Sequence, residues 1–98
     1  MKDSLPKHPK QSEVVVYSKD YCPYCTAATN LLTQRGVGFT EVDISNDPDK
    51  QAEMYKLAAP RKTVPQIFIA GKAVGGFTDL KKLDDDSQLE ALLFPGGR

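Results

Sequence analysis

The sequence predicts an α/β fold, a small four-stranded mixed sheet with helices against it, and three observations carry that prediction. The apolar, β-branched run Val14-Val15-Val16-Tyr17 leads into a helical stripe from Pro23 to about Arg35, and then into an alternating strand from Phe39 to Ile44. Strand, helix and strand within about thirty residues form a βαβ unit, with parallel strands and a right-handed crossover. Farther on, Gln66-Ile67-Phe68-Ile69 and Lys72-Ala73-Val74 flank Ala70-Gly71 and read as a hairpin, with Gly71 supplying the positive φ of a tight turn.

The individual elements follow from local chemistry. Residues 1–12 are polar and carry Pro6 and Pro9, so they read as a flexible tail ahead of a domain spanning residues 13–94. His8, the only histidine, falls in that tail and reads as a solvated side chain. The first strand has no polar face, which suits burial on both sides. In the helix after it, Cys25, Ala28, Leu31, Leu32 and Arg35 share one stripe, and Gly36 is a stop signal. Asn46 or Asp47 can cap a second helix, with Pro48 in its first turn, an apolar face of Met54, Leu57 and Ala58, and an end near Ala59-Pro60. Gly75-Gly76 breaks the last strand. Thr78 is a candidate cap for a short helix to about Leu83, and Ser87 for a final one ending near Phe94. Leu31, Leu32, Leu57, Leu80, Leu83, Leu89 and Leu92 are assigned to the core, Asp84-Asp85-Asp86 to a polar helix end, and residues 95–98 to a frayed terminus.

Composition bounds what the chain does. Ninety-eight residues give one domain with one modest core. Thirteen basic and thirteen acidic side chains cancel, which removes the electrostatic case for nucleic acid or an acidic membrane as partner. No apolar run approaches the roughly 20 residues of a membrane span, and the N-terminal stretch lacks the apolar core of a secretory signal. A cytoplasmic location is the expectation. In a reducing compartment, a close pair of cysteines is catalytic or metal-binding more often than structural.

That pair is Cys22 and Cys25, the only cysteines, in Cys22-Pro23-Tyr24-Cys25 at the junction of the first strand and helix. Thiols at i and i+3 on a helix start lie on one face, with Cα atoms about 5 Å apart, within the span of a disulfide. Cys22 precedes the first turn, where unpaired N–H groups and the helix dipole favour a thiolate. Cys25 lies inside the helix, where that field is weaker. The asymmetry makes Cys22 the attacking thiol and Cys25 the resolving one. Pro23 fits the first helical position, where its missing N–H costs nothing. A zinc site would need two further Cys or His ligands, and only His8 exists, so no metal is expected.

Together with Thr63-Val64-Pro65 before the third strand and Gly75-Gly76 leading to Asp79, this motif closely resembles the dithiol glutaredoxins, and within them the short bacterial-type proteins. The resemblance covers nearly everything from Val14 to Leu93. It implies a thioredoxin-like fold, a cis peptide before Pro65, and a monomeric enzyme that uses glutathione to reduce protein disulfides and protein–glutathione mixed disulfides. In that pattern the backbone of Val64, with Thr63 and Pro65 around it, pairs with the cysteinyl part of glutathione in a β-like manner. The γ-glutamyl end meets Gly76, Phe77, Thr78 and Asp79, with Thr78 donating to its carboxylate and Asp79 accepting from its ammonium. The glycyl carboxylate needs cations, for which Lys19, Arg61 and Lys62 are available, Lys19 also favouring the Cys22 thiolate. Tyr24 would wall one side. Two departures stand out: Phe77 replaces a cysteine carried by many relatives, and Pro60 sits beside Arg61-Lys62 in a variable loop.

Two other functions fit the same residues. One is a glutaredoxin-shaped protein reduced by thioredoxin reductase, against which the Thr78-Asp79 and basic-loop constellation argues. The other is an iron–sulfur carrier in which two subunits share a cluster through Cys22 and two glutathiones, an arrangement that a turn stiffened by Pro23 disfavours.

Overall fold

The computed structural model describes residues 7–98; the expectation for residues 1–6 lies outside the described part of the chain. Eight elements follow in the order β1 (Val14–Ser18), α1 (Pro23–Gln34), β2 (Thr40–Asp43), α2 (Pro48–Ala58), β3 (Gln66–Ile69), β4 (Lys72–Gly75), α3 (Phe77–Asp85) and α4 (Leu89–Leu93). The four strands form one mixed sheet in the order β2-β1-β3-β4. β1 runs parallel to β2, with Val16 opposite Glu41 and Ser18 opposite Asp43, and antiparallel to β3, with Val16 opposite Ile67. β3 and β4 are antiparallel, with a bulge between Ile67 and Phe68.

Both faces of the sheet are covered, which explains the unbroken apolar run of β1. Val14 and Val16 join Ala28, Leu31, Leu32, Ile67, Leu80, Leu89 and Leu93 in one cluster. The alternate side chains, Val15 and Tyr17, join Ile44, Met54, Ala58 and Phe68 on the opposite face. Leu57 and Leu92, assigned to the core, are instead exposed. Short helices against a small sheet bury only a narrow stripe: Met54 with Ala58, and Leu89 with Leu93, take that stripe at i and i+4 and leave Leu57 and Leu92 on its rim.

Helix ends follow the local signals with two corrections. Gly36 (φ +71) closes α1, its N–H donating to Thr33 O at 3.0 Å while that of Val37 donates to Leu32 O at 3.0 Å. Asp47 Oδ1 accepts from Lys50 N at 3.1 Å and caps α2. Thr78 is not the cap of α3, which starts two residues earlier than that cap implies: Gly76 is the N-cap, and Asp79 Oδ2 reaches back to its N–H at 2.9 Å. Ser87 does not cap α4. It adopts φ +61 and ends α3, its N–H donating to Asp84 O and that of Gln88 to Leu83 O, a C-terminal motif usually made with glycine.

The segment expected to be a tail makes specific contacts from His8 onward. The His8 ring packs edge-on against Phe94, and Ser12 N donates to Leu93 O at 2.7 Å. Gln11 is buried, its amide donating to Gly38 O at 2.6 Å and accepting from Gly38 N at 3.0 Å, so both ends of a buried polar group are satisfied. At the other terminus Arg98 lies over the Phe94 ring and bonds to Glu90 and to Arg35 O. Asp84, Asp85 and Asp86 end α3 as a polar stretch, paired with Arg35, Lys81 and Lys82 respectively.

Candidate active site

The two cysteines stand where the carboxyl end of β1 turns into α1. Tyr21, fully exposed at φ +56, turns the chain so that Cys22 becomes the N-cap and Pro23 the first helical residue. Cys22 Sγ accepts from Cys25 N at 3.2 Å. A sulfur in that position faces the positive end of the helix dipole. Cys22 is half-buried and Cys25 only 3% exposed, so incoming substrate meets Cys22 first.

The Cys25 thiol is pushed up to about 12, first by burial and then by its hydrogen bond with Cys22, while a backbone hydrogen bond from Lys19 pulls the other way. Burial and the bond to Glu53 raise Tyr17 to about 12 as well. The folded chain therefore holds both protons more tightly than the unfolded chain does. The resulting stabilisation is complete below the ordinary cysteine value of 9.0 and is lost as pH rises through about 12. The urea midpoint of the reduced protein is expected to fall from about pH 9 upward. In Cys25→Ser the fall should be shallower and begin nearer the ordinary tyrosine value of 10.0. Parallel declines in the two proteins would refute the Cys25 contribution.

On one side of Cys22 lies a groove of about 450 Å³ lined by Tyr24, Arg61, Thr63, Val64, Pro65, Gly76, Phe77, Thr78 and Asp79. Its size is that of a small-molecule site. The floor is the loop before β3, where the Val64–Pro65 peptide is cis and the Val64 carbonyl oxygen lies 4.0 Å from Cys22 Sγ. A residue missed in the sequence holds that loop: Gln66, buried within the sheet, donates to Thr63 O at 2.9 Å and Thr63 Oγ1 at 3.3 Å. A polar side chain at a strand start beside Thr-Val-Pro was the available signal. A second cis peptide, Ala59–Pro60, precedes Arg61. Tyr24 and Phe77 stack with ring centroids 6.2 Å apart and form one wall.

The charged residues are distributed differently from the expectation. Arg61 lines the groove, but its Nη1 is paired with Asp79 Oδ2 at 2.6 Å. Arg61, with help from the Gly76 N–H, holds the Asp79 carboxyl below the usual range. Gly75 (φ +118) passes beneath this pair, where a Cβ would collide with both side chains. Lys62 sits over the Tyr55 ring, 5.8 Å from its centroid. Lys19 is absent from the groove lining. It lines a separate cleft on the other side of Cys22, together with Ser18, Asp20, Glu41, Asp43 and Cys25.

The glutaredoxin family model matches residues 14–74. The chain belongs to the glutaredoxin family. A glutaredoxin of Neisseria meningitidis serogroup A is 46% identical over 83 residues, 84% of this chain and 96% of that one. The solution structure of the Brucella melitensis glutaredoxin superposes with a TM-score of 0.78 at 40% identity, over 93% of this chain and 99% of that one. A buckwheat glutaredoxin–glutathione complex does so with a TM-score of 0.76 at 30% identity, over 84% and 76% of the two chains. Glutaredoxins have the thioredoxin-like fold and are thiol–disulfide oxidoreductases that act with glutathione, and this chain carries their redox pair as Cys22 and Cys25. Among the described residues, no three His, Cys, Asp or Glu side chains converge on a metal-sized site, and no helix is long and apolar enough to cross a membrane.

Proposed function

We propose that this glutaredoxin reduces protein disulfides and protein–glutathione mixed disulfides through Cys22, with Cys25 as the resolving thiol and glutathione as the reductant. The observation that carries this reading is the N-cap sulfur of Cys22 standing 4.0 Å from the Val64 carbonyl, at the head of a groove that ends on Asp79. A tripeptide laid along Val64 pairs backbone to backbone and brings its own sulfur to Cys22. Its γ-glutamyl carboxylate meets Thr78 at the start of α3, and its ammonium meets Asp79. Arg61 already occupies Asp79, so binding is an exchange of ion pairs: the ligand's ammonium takes Asp79, and Arg61 turns to a ligand carboxylate. Lys19, across Cys22, acts on the sulfur and on the polypeptide attached to it.

With a protein disulfide, Cys22 attacks and forms a mixed disulfide, Cys25 displaces the reduced product, and two glutathiones reduce the Cys22–Cys25 bond. With a glutathionylated protein, attack places glutathione on Cys22, and a second glutathione releases it. One chain supplies every group in this scheme, so the working unit is taken to be a monomer. A glutathione-rich compartment such as the cytoplasm is its place.

The deciding test is reduction of a small mixed disulfide with glutathione and glutathione reductase, run beside thioredoxin reductase. Turnover is expected only in the glutathione system. Turnover only with thioredoxin reductase would keep the Cys22 chemistry and discard the glutathione groove.

A further inference from the structure

The resolving step poses a proton problem that the cysteine pair does not solve by itself. Cys25 must attack as a thiolate, yet burial, the largest cause of its raised value, keeps the proton on the sulfur and persists when Cys22 is held in a mixed disulfide. Its proton therefore needs an acceptor at the moment of attack. The mixed disulfide formed at Cys22 removes that sulfur as a candidate, because both partners in the disulfide bond are then neutral.

The cleft on the far side of Cys22 from the glutathione groove contains carboxylates. Ser18, Lys19, Asp20, Glu41 and Asp43 line it together with Cys22, Pro23, Cys25 and Thr26. Of its three acids, Asp20 and Asp43 are exposed and Glu41 is half-buried. Asp43 Oδ1 accepts from Ser45 N at 2.8 Å and so holds the turn after β2. Glu41 is the acid whose charge is felt at Cys25. It is also held in place: Ser18 Oγ, buried at the end of β1, donates to Glu41 Oε2 at 2.8 Å and leaves Oε1 free of that bond. The parallel pairing of β1 with β2, which sets Val16 opposite Glu41 and Ser18 opposite Asp43, is what brings this side chain alongside α1.

We propose that Glu41, oriented by Ser18, accepts the Cys25 proton when the mixed disulfide on Cys22 is resolved. In that step the Cys25 S–H bond breaks and its proton passes to the Glu41 carboxylate. The sulfur's electron pair forms the Cys25–Cys22 bond, and the Cys22–substrate S–S bond breaks with its pair leaving on the substrate thiolate. The disulfide is consumed and a new one formed, so no outside oxidant or reductant enters. Glutamic acid then loses its proton to solvent or to the departing thiolate. The backbone N–H of Lys19, which already pulls the Cys25 thiol down, steadies the charge that develops on the sulfur. Charge in the cleft is otherwise Lys19 against Asp20 and Asp43, which leaves the surroundings of Glu41 net negative.

This inference rests on the resolving role of Cys25, and the experiment separates the two. Reduced protein is mixed with a disulfide-containing peptide, and Cys22–Cys25 bond formation is followed by rapid acid quench and mass spectrometry across about pH 5 to 9. In the wild type the rate should be nearly independent of pH around neutrality. In Glu41→Gln, which keeps an acceptor for Ser18, it should fall by about tenfold or more at neutral pH and climb in proportion to hydroxide. The ratio of this dithiol rate to glutathione exchange at Cys22, measured in a Cys25→Ser background with and without Glu41→Gln, should fall by the same factor. Glu41→Asp should restore part of the rate, and Ser18→Ala should lose part of it, which keeps the test intact if Glu41→Gln does not fold. An unchanged rate and pH profile in Glu41→Gln, or equal losses in both reactions, overturns the assignment. A wild type that never forms the Cys22–Cys25 bond overturns the resolving role itself.

Discussion

Cys22→Ser is expected to abolish all activity, lowering turnover by about a thousandfold or more with every disulfide substrate. Cys25→Ser, in contrast, should keep removal of glutathione from glutathionylated peptides and lose the reduction of protein disulfides. The reason is positional. Cys22 is the more accessible sulfur, half-buried at the N-cap of α1 beside the Val64 carbonyl and the groove, so both reactions start there. Cys25 is buried beneath it and is needed only when the thiol leaving Cys22 is not glutathione. A serine hydroxyl at position 22 keeps the cap geometry but cannot form the mixed disulfide. The assay is steady-state turnover of a glutathionylated peptide and of a protein disulfide by each variant, with folding checked by thermal melting. Activity surviving in Cys22→Ser, or both activities lost in a folded Cys25→Ser, would overturn the division of labour.

The second large effect is expected at Asp79. This carboxylate both reaches back to the Gly76 N–H at the start of α3 and pairs with Arg61 across the groove. A charge-assisted hydrogen bond to a ligand ammonium contributes about 1.5–3 kcal/mol, so its loss should raise KM for glutathionylated peptide by about 10- to 150-fold with little change in kcat. Asp79→Asn is the informative variant, because an amide oxygen still accepts from Gly76 while the charge is gone. Asp79→Ala should also loosen the first turn of α3, which costs about 0.5–2 kcal/mol of stability as for other helix caps. A truncated peptide lacking the γ-glutamyl amine should be handled equally by wild type and Asp79→Asn. KM values within about twofold of wild type for the full ligand in Asp79→Asn would remove Asp79 from the binding site.

The same residue shows how far the sequence could be read. Asp79 was recognisable after Gly75-Gly76 as a candidate ligand contact, through the family resemblance. Its capping of Gly76 was not, because Thr78 is the better isolated N-cap residue, and only the extended backbone at Gly76 reveals that the helix starts earlier. Ser87 misled for the same reason: a serine near a helix start is usually a cap, yet here it closes the preceding helix in a left-handed conformation. Leu57 and Leu92 were read from hydrophobicity, whereas burial depends on how wide a stripe each short helix presses onto the sheet.

The order of elements, the cysteine pair at a helix start, the Asp47 cap and the Gly36 stop were all determined by the sequence itself. Each depends on side chains within a few positions of one another, where periodicity and backbone chemistry act directly. Tertiary structure decided which distant groups meet. Arg61 faces Asp79 across 18 positions and Ser18 faces Glu41 across 23, while Gln11 is buried against Gly38 across 27. The sequence offered Lys19, Arg61 and Lys62 as cations for one carboxylate, and packing placed Lys19 and Arg61 in separate clefts. Such pairings are set by strand register and by which helix covers which face, so the groove's charge balance and the carboxylate beside Cys25 became visible only once the sheet had closed.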